Sequence, residues 1–96
     1  MKAKMHETSS GNLLAACDKE LSNTALKEEE IEFKIRDYFY GKKEIKEKEL
    51  INKMNEAQSI NLIGKKTVSI ALKNNFATEK QVKKINKVPH LQIYKI

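Results

Sequence analysis

Glu30-Ile31-Glu32-Phe33-Lys34-Ile35-Arg36 alternates charged and apolar residues without a break. A β-strand sends successive side chains to opposite faces, so Ile31, Phe33 and Ile35 share one face and the four charges the other. The pattern predicts a half-buried strand in a sheet with one solvated face, and it places the three apolar side chains in the core. Asp37-Tyr38-Phe39-Tyr40-Gly41 follows, with Gly41, Lys42 and Lys43 as the breaker.

Toward the N-terminus, Lys2-Ala3-Lys4-Met5-His6 is a short alternating run, and Leu13-Leu14-Ala15-Ala16-Cys17 is a continuous apolar one. The Ser9-Ser10-Gly11-Asn12 segment between them predicts two strands joined by a loop longer than two residues, because Gly and Asn tolerate positive φ. Asp18 to Lys27 reads as an irregular connection with one helical turn around Glu20.

Toward the C-terminus the period changes. Leu50, Ile51, Met54 and Ala57 fall on one helical face, and Glu44–Lys48 and Glu49–Lys53 are i,i+4 pairs in the favourable order, which predicts a helix over 45–58. Val68, Ala71, Leu72 and Asn75, after Gly64, suggest a second helix. A strand in which Val68, Ile70 and Leu72 alternate is its rival, since β-branched residues weaken a helix. Thr78-Glu79-Lys80-Gln81 has the capping-box pattern, and Val82 to Ile85 fits either a turn of helix or a short strand. Beyond Pro89, Leu91 and Ile93 alternate with Gln92 and Tyr94 as a terminal strand. The order β-β-β-α-α-β predicts an α+β fold: a small antiparallel or mixed sheet with two helices on one face. Leu50, Ile51 and Met54 are expected to pack near Ile31, Phe33 and Ile35. At 96 residues the chain has the size of one domain, 1–96.

Four short motifs run in order along the chain: Leu13-Leu14-Ala15-Ala16-Cys17-Asp18, Phe39-Tyr40-Gly41, Asn61-Leu62-Ile63-Gly64 and Val88-Pro89-His90. As an ordered set spanning nearly the whole chain, they resemble a family of short archaeal proteins classed as a domain of unknown function. The resemblance implies a cytoplasmic archaeal protein with a compact α/β-type fold and a role linked to translation. It supplies no catalytic residues. This chain departs in being lysine-rich, with Arg36 as its one arginine, so a charge argument made here belongs to this chain.

Charge is unevenly spread. Residues 1–41 hold six Lys/Arg against eight Asp/Glu, residues 42–57 hold five Lys against four Glu, and residues 58–96 hold eight Lys against Glu79 alone. The formal +6 therefore originates in the last two-fifths of the chain, where it can act on an anionic partner. A lysine-rich surface kept for solubility, or a thermophile-like Lys/Glu/Ile bias, is the competing explanation. A lone cysteine forms no internal disulfide, and Met1 to Gly11 lacks an apolar core of signal-peptide length, so a reducing, cytoplasmic location is expected, with no membrane segment, metal or other cofactor.

Three groups of residues bear on function. Cys17 with His6, His90 and Asp18 is the only set that suggests chemistry, since imidazole can hold a thiolate. However, Cys17 ends an apolar run, where cysteine usually behaves as a buried hydrophobe. His90 follows Pro89, which holds the preceding residue extended and either displays the imidazole or lets it satisfy a backbone group. Tyr38, Phe39 and Tyr40 make up half of the aromatics. Continued alternation would put Phe39 on the side of Ile35 and free Tyr38 and Tyr40 to stack on bases beside Lys42 and Lys43, though core capping is equally open to them.

Gly64-Lys65-Lys66-Thr67 resembles the end of a phosphate-binding loop but lacks the glycine that loop needs where Ser59 stands. Two lysines in a first helical turn oppose the macrodipole unless an anion sits there. These features support a non-enzymatic RNA-binding or ribosome-associated accessory domain. Its expected contacts are Lys65 and Lys66, flanked by outward backbone N–H groups, with Lys80, Lys83, Lys84, Lys87 and Tyr40 extending the surface. The alternatives are a small enzyme with Cys17 and His90 near each other, and an adaptor for an acidic protein.

Overall fold

Leu14, Ala15, Ala16 and Cys17 are all fully buried, so this apolar run is covered on both faces, as a strand inside a sheet between two layers must be. A computed structural model describes residues 1–96. The main sheet has the order β1-β2-β5-β7-β6, built from β1 (Lys2–Thr8), β2 (Gly11–Cys17), β5 (Ser59–Ile63), β6 (Lys83–Ile85) and β7 (Val88–Tyr94). β2 and β5 are parallel and the other pairs antiparallel, so the sheet is mixed. A separate two-stranded sheet pairs β3 (Thr24–Glu28) with β4 (Ile31–Ile35). The helices are α1 (Asp37–Tyr40), α2 (Glu47–Glu56) and α3 (Lys65–Lys73), with 3₁₀ turns at Lys19–Leu21 and Glu79–Gln81. The fold is α+β.

Strand register sorts the side chains into two cores. Ala3, Leu14, Ala16, Ile60, Leu62, Leu91 and Ile93 face the layer of α2 and α3, where Leu50, Met54, Val68, Ile70 and Ala71 meet them. On the opposite face, Ala15, Cys17 and Ile63 pack with Ile35 and Tyr40, under the β3–β4 hairpin and α1.

Several expectations change with this arrangement. β4 forms as predicted, but in the small hairpin and not in the main sheet. Ile35 is buried, Phe33 is half-buried, and Ile31 is 72% exposed because it lies at the hairpin's tip, past the core. The strand packs against the Cys17 side, with the main sheet between it and Leu50, Ile51 and Met54. Besides the short β6, two strands lie outside the predicted order. β3 carries Leu26 as its only large apolar residue, so nothing but its partner marks it. β5 is central and short: Ser59-Ile60-Asn61-Leu62 alternates, but Ile63, buried on the opposite face, breaks the period. The short α1 lies on the hairpin side, so the helices do not all share one face.

Two other expectations hold. Residues 65–73 are helical, and Thr67, Val68, Ile70 and Ala71 are the buried ones, a helical and not an alternating set. Lys83–Ile85 is the short strand. The β1–β2 connection is tighter than expected: Thr8 pairs with Gly11, and the Thr8 hydroxyl accepts from Ser10 N–H at 3.1 Å and donates to the Gly11 carbonyl at 2.6 Å. No helix is long and apolar enough to cross a membrane.

Candidate functional site

The start of α3 is occupied by the protein's own anion. Asp18 stands directly after β2, and the parallel pairing of Cys17 with Ile63 carries it to the point where β5 turns into α3. Its Oδ2 accepts from the Lys66 N–H and its Oδ1 from the Thr67 N–H, both at 2.9 Å, while Thr67 donates its hydroxyl to the Ile63 carbonyl at 3.1 Å. Asp18 is 5% exposed. A buried carboxylate with charge-assisted bonds to a helix N-terminus is a strong cap. This corrects the expectation of outward N–H groups beside Lys65 and Lys66: those of Lys66 and Thr67 are spent on Asp18, and only the side chains face solvent.

On the hairpin side, Asn61 collects two donors. Tyr40 OH donates to Asn61 Oδ1 at 3.0 Å, and His90 Nε2 donates to the same oxygen at 3.1 Å. The edge of Phe33 meets the His90 ring at 5.2 Å, and Phe39 meets Tyr40 edge-on at 4.9 Å. His6 stacks on Phe39 at 5.0 Å and donates through Nε2 to the Phe39 carbonyl at 2.7 Å. Tyr40 is thus a core residue, 2% exposed, because α1 turns its ring inward where a continued strand would have turned it out. It has no free face for a base. Tyr38 is exposed.

The Cys17–His90 pair does not form a dyad. Cys17 pairs with Ile63, and Ile63 with His90, so a whole strand separates them, roughly 9–10 Å between backbones. Burial, with Asp18's charge next, pushes the Cys17 thiol up to about 11. Burial also holds the His90 imidazolium below its ordinary value and the Tyr40 phenol above its own. A protonated thiol, a strand away from a neutral, hydrogen-bonded imidazole, is the reverse of an activated nucleophile. No group of three or more His, Cys, Asp or Glu side chains is arranged to hold a metal ion.

Lys65, Lys66, Lys80, Lys83, Lys84 and Lys87 are all exposed, but the fold divides them. Lys65, from the first turn of α3, and Lys84, from β6, line one cleft of about 430 Å³, together with Val68, Ser69, Leu72, Glu79, Val82 and Pro89. Lys83 pairs with His90 and so points to the opposite face. Lys87 sits in the β6–β7 turn, where both Asn86 and Lys87 have positive φ and the Asn86 N–H donates to the Glu28 carboxylate at 3.1 Å. Lys80 lies in the 3₁₀ turn next to Glu79. The continuous six-lysine patch expected from sequence is therefore two faces and a tip. Asn61 lies in one of the four motifs and Glu79 in the capping-box pattern, but only the fold makes Asn61 a shared acceptor and Glu79 a cleft residue.

The sequence profile of the family described as "Protein of unknown function (DUF424)" matches residues 6–96. The chain belongs to this family. No curated protein matches the chain. Among solved structures, this DUF424 protein is similar to one described as "Crystal structure of an uncharacterized conserved protein from Methanopyrus kandleri". The two share 25% identity at a TM-score of 0.84, over 99% of this chain and 90% of that chain. The resemblance carried by the four motifs is borne out. In this DUF424 fold they meet in one place: Asp18 N–H donates to the Ile63 carbonyl at 3.1 Å, Gly64 N–H to the Pro89 carbonyl at 2.9 Å, and Tyr40 to Asn61.

Proposed function

We propose that the chain is a non-enzymatic RNA-binding module, acting in the cytoplasm with ribosomal particles or the translation machinery. It holds phosphates on the side of the molecule built by α3, the Glu79–Gln81 turn, β6 and β7. The observation that supports this most is the sheet order. β5, β7 and β6 are neighbours and α3 packs on β5 and β7, so the part of the chain with eight lysines and one glutamate gathers toward one edge of the sheet, with Lys65 and Lys84 on its helix face and Lys83 on the other. A net positive excess gathered there attracts a polyanion. With the α3 N-terminus capped by Asp18, side-chain ammonium groups supply the attraction, led by Lys65 and Lys84 in the cleft. Lysine acts as a point charge, so affinity comes from the backbone more than from sequence.

Binding of fluorescent single-stranded RNA across a salt series, starting from about 50 mM, tests the reading. Affinity should fall steeply with salt, and a Lys65→Gln/Lys84→Gln double variant should flatten the slope by roughly one to two units. Lys48→Gln on α2 should leave it unchanged. Absence of binding at low salt overturns the reading and leaves an acidic protein as the better partner.

A further inference from the structure

The cleft between α3 and the β6 edge has a composition that phosphate binding alone does not explain. Its inner wall is apolar: Val68 is buried, and Leu72 and Val82 are half-buried. Its outer members are exposed and charged, with Lys65 and Lys84 contributed by different elements and Glu79 by the 3₁₀ turn. Glu79 is the one acidic residue of the C-terminal region, yet it sits in the cleft and not at a distance from it. The ion pairs of the chain are Lys19–Glu44, Lys34–Glu32 and Lys73–Glu47, so neither cleft lysine neutralises it. A carboxylate beside a phosphate track repels the backbone. The same carboxylate is useful where a base presents N–H groups to it.

We propose that this cleft takes a single unpaired guanine of a bound RNA strand, deepening the RNA-binding reading on which it rests. The base lies against Val68, Leu72 and Val82, as unstacked bases lie on apolar side chains in other single-strand sites. Lys65 and Lys84 hold the flanking phosphates, whose charge complements theirs. Glu79 accepts from the base edge. Guanine offers two adjacent donors there, N1–H and the N2 amino group, which a carboxylate receives side by side. Cytosine and adenine set an acceptor nitrogen next to their amino group, and uracil flanks one N–H with carbonyls. At about 430 Å³ the cleft falls within the size range of small-ligand sites.

The test uses the full chain and eight-nucleotide oligouridylates, unsubstituted or carrying one central guanosine, cytidine or adenosine. The guanosine strand should bind at least about fivefold more tightly than the unsubstituted one, and annealing it into a duplex should abolish that advantage. Glu79→Gln should remove the guanosine preference while keeping the salt slope, and it should fold normally because Glu79 is exposed. Equal affinity for all four strands overturns the proposal, as does a preference that survives in Glu79→Gln. If salt-dependent binding persists without base preference, the guanine site falls and the backbone-binding reading stands. If nothing binds at low salt, both fall.

Discussion

Asp18 fills the space that a side chain at position 64 would need. A Cβ added to Gly64 would lie 2.3 Å from Asp18 Cγ and 2.5 Å from its Oδ1. The φ of Gly64 is +119°, a conformation that residues with a Cβ rarely adopt. The end of β2, the end of β5 and the start of α3 are thus joined through one carboxylate that needs a bare backbone beside it.

Substitution at either member of this pair should be costly, and the two costs should be coupled. Gly64→Ala should lower the unfolding free energy by about 2–4 kcal/mol, from strain and from displacing Asp18. Asp18→Ala leaves two N–H groups without their acceptor and should cost about 1–3 kcal/mol. In the double variant the clash is gone, so urea melts should show less than the sum of the two losses. Strict additivity would mean that the carboxylate and the glycine do not act on each other.

Cys17 should be inert in the native protein. At pH 7.5 a thiol probe should react with it only at the rate of unfolding, and quickly once urea is added, because burial pushes the thiol up to about 11. The folded state disfavours the thiolate, so this group leaves stability intact below its ordinary value near 9.0 and lowers it as pH rises from there toward 11. Cys17→Ala should cost about 1 kcal/mol and reduce that alkaline loss. Fast labelling of the folded wild type at neutral pH would contradict the assignment.

His90 governs the acid side. Burial depresses its folded value below the ordinary 6.5, so the unfolded chain takes up the proton first. Its contribution is complete above 6.5 and declines as pH falls through that value toward the depressed one. Protonation occurs against the Phe33 edge and Asn61 Oδ1, so the strain is delivered to the contact between hairpin and sheet. Urea midpoints measured at pH 7.5 and 5.5 should drop more for wild type than for His90→Gln, whose amide can still donate to Asn61. Equal drops would remove His90 from the account.

The four motifs and the one-sided lysine excess were visible in residue order, and so was Cys17 as a buried side chain at the end of an apolar run. The site built from them was not. Asp18 looked like a possible partner for Cys17, yet its work is done 48 positions away, on the Lys66 N–H. Continued alternation through Ile35 would leave Tyr40 free to stack. The chain instead enters a helical turn at Asp37, which rotates the ring inward.

What sequence determines here is local. Periodicity marks β4, α2 and the terminal strand because a side chain's burial repeats with its own backbone geometry, whatever it packs against. What only the tertiary structure decides is which face meets which layer. Ile31, Phe33 and Ile35 share a face of β4, but the hairpin overhangs the sheet, so only Ile35 is fully buried and Ile31 meets water. β5 acquires its central place from β2 on one side and β7 on the other, a pairing that its own five residues do not encode. The cleft lysines meet for the same reason: Lys65 and Lys84 are brought together by hydrogen-bonded neighbours in the sheet, and no spacing along the chain encodes that distance.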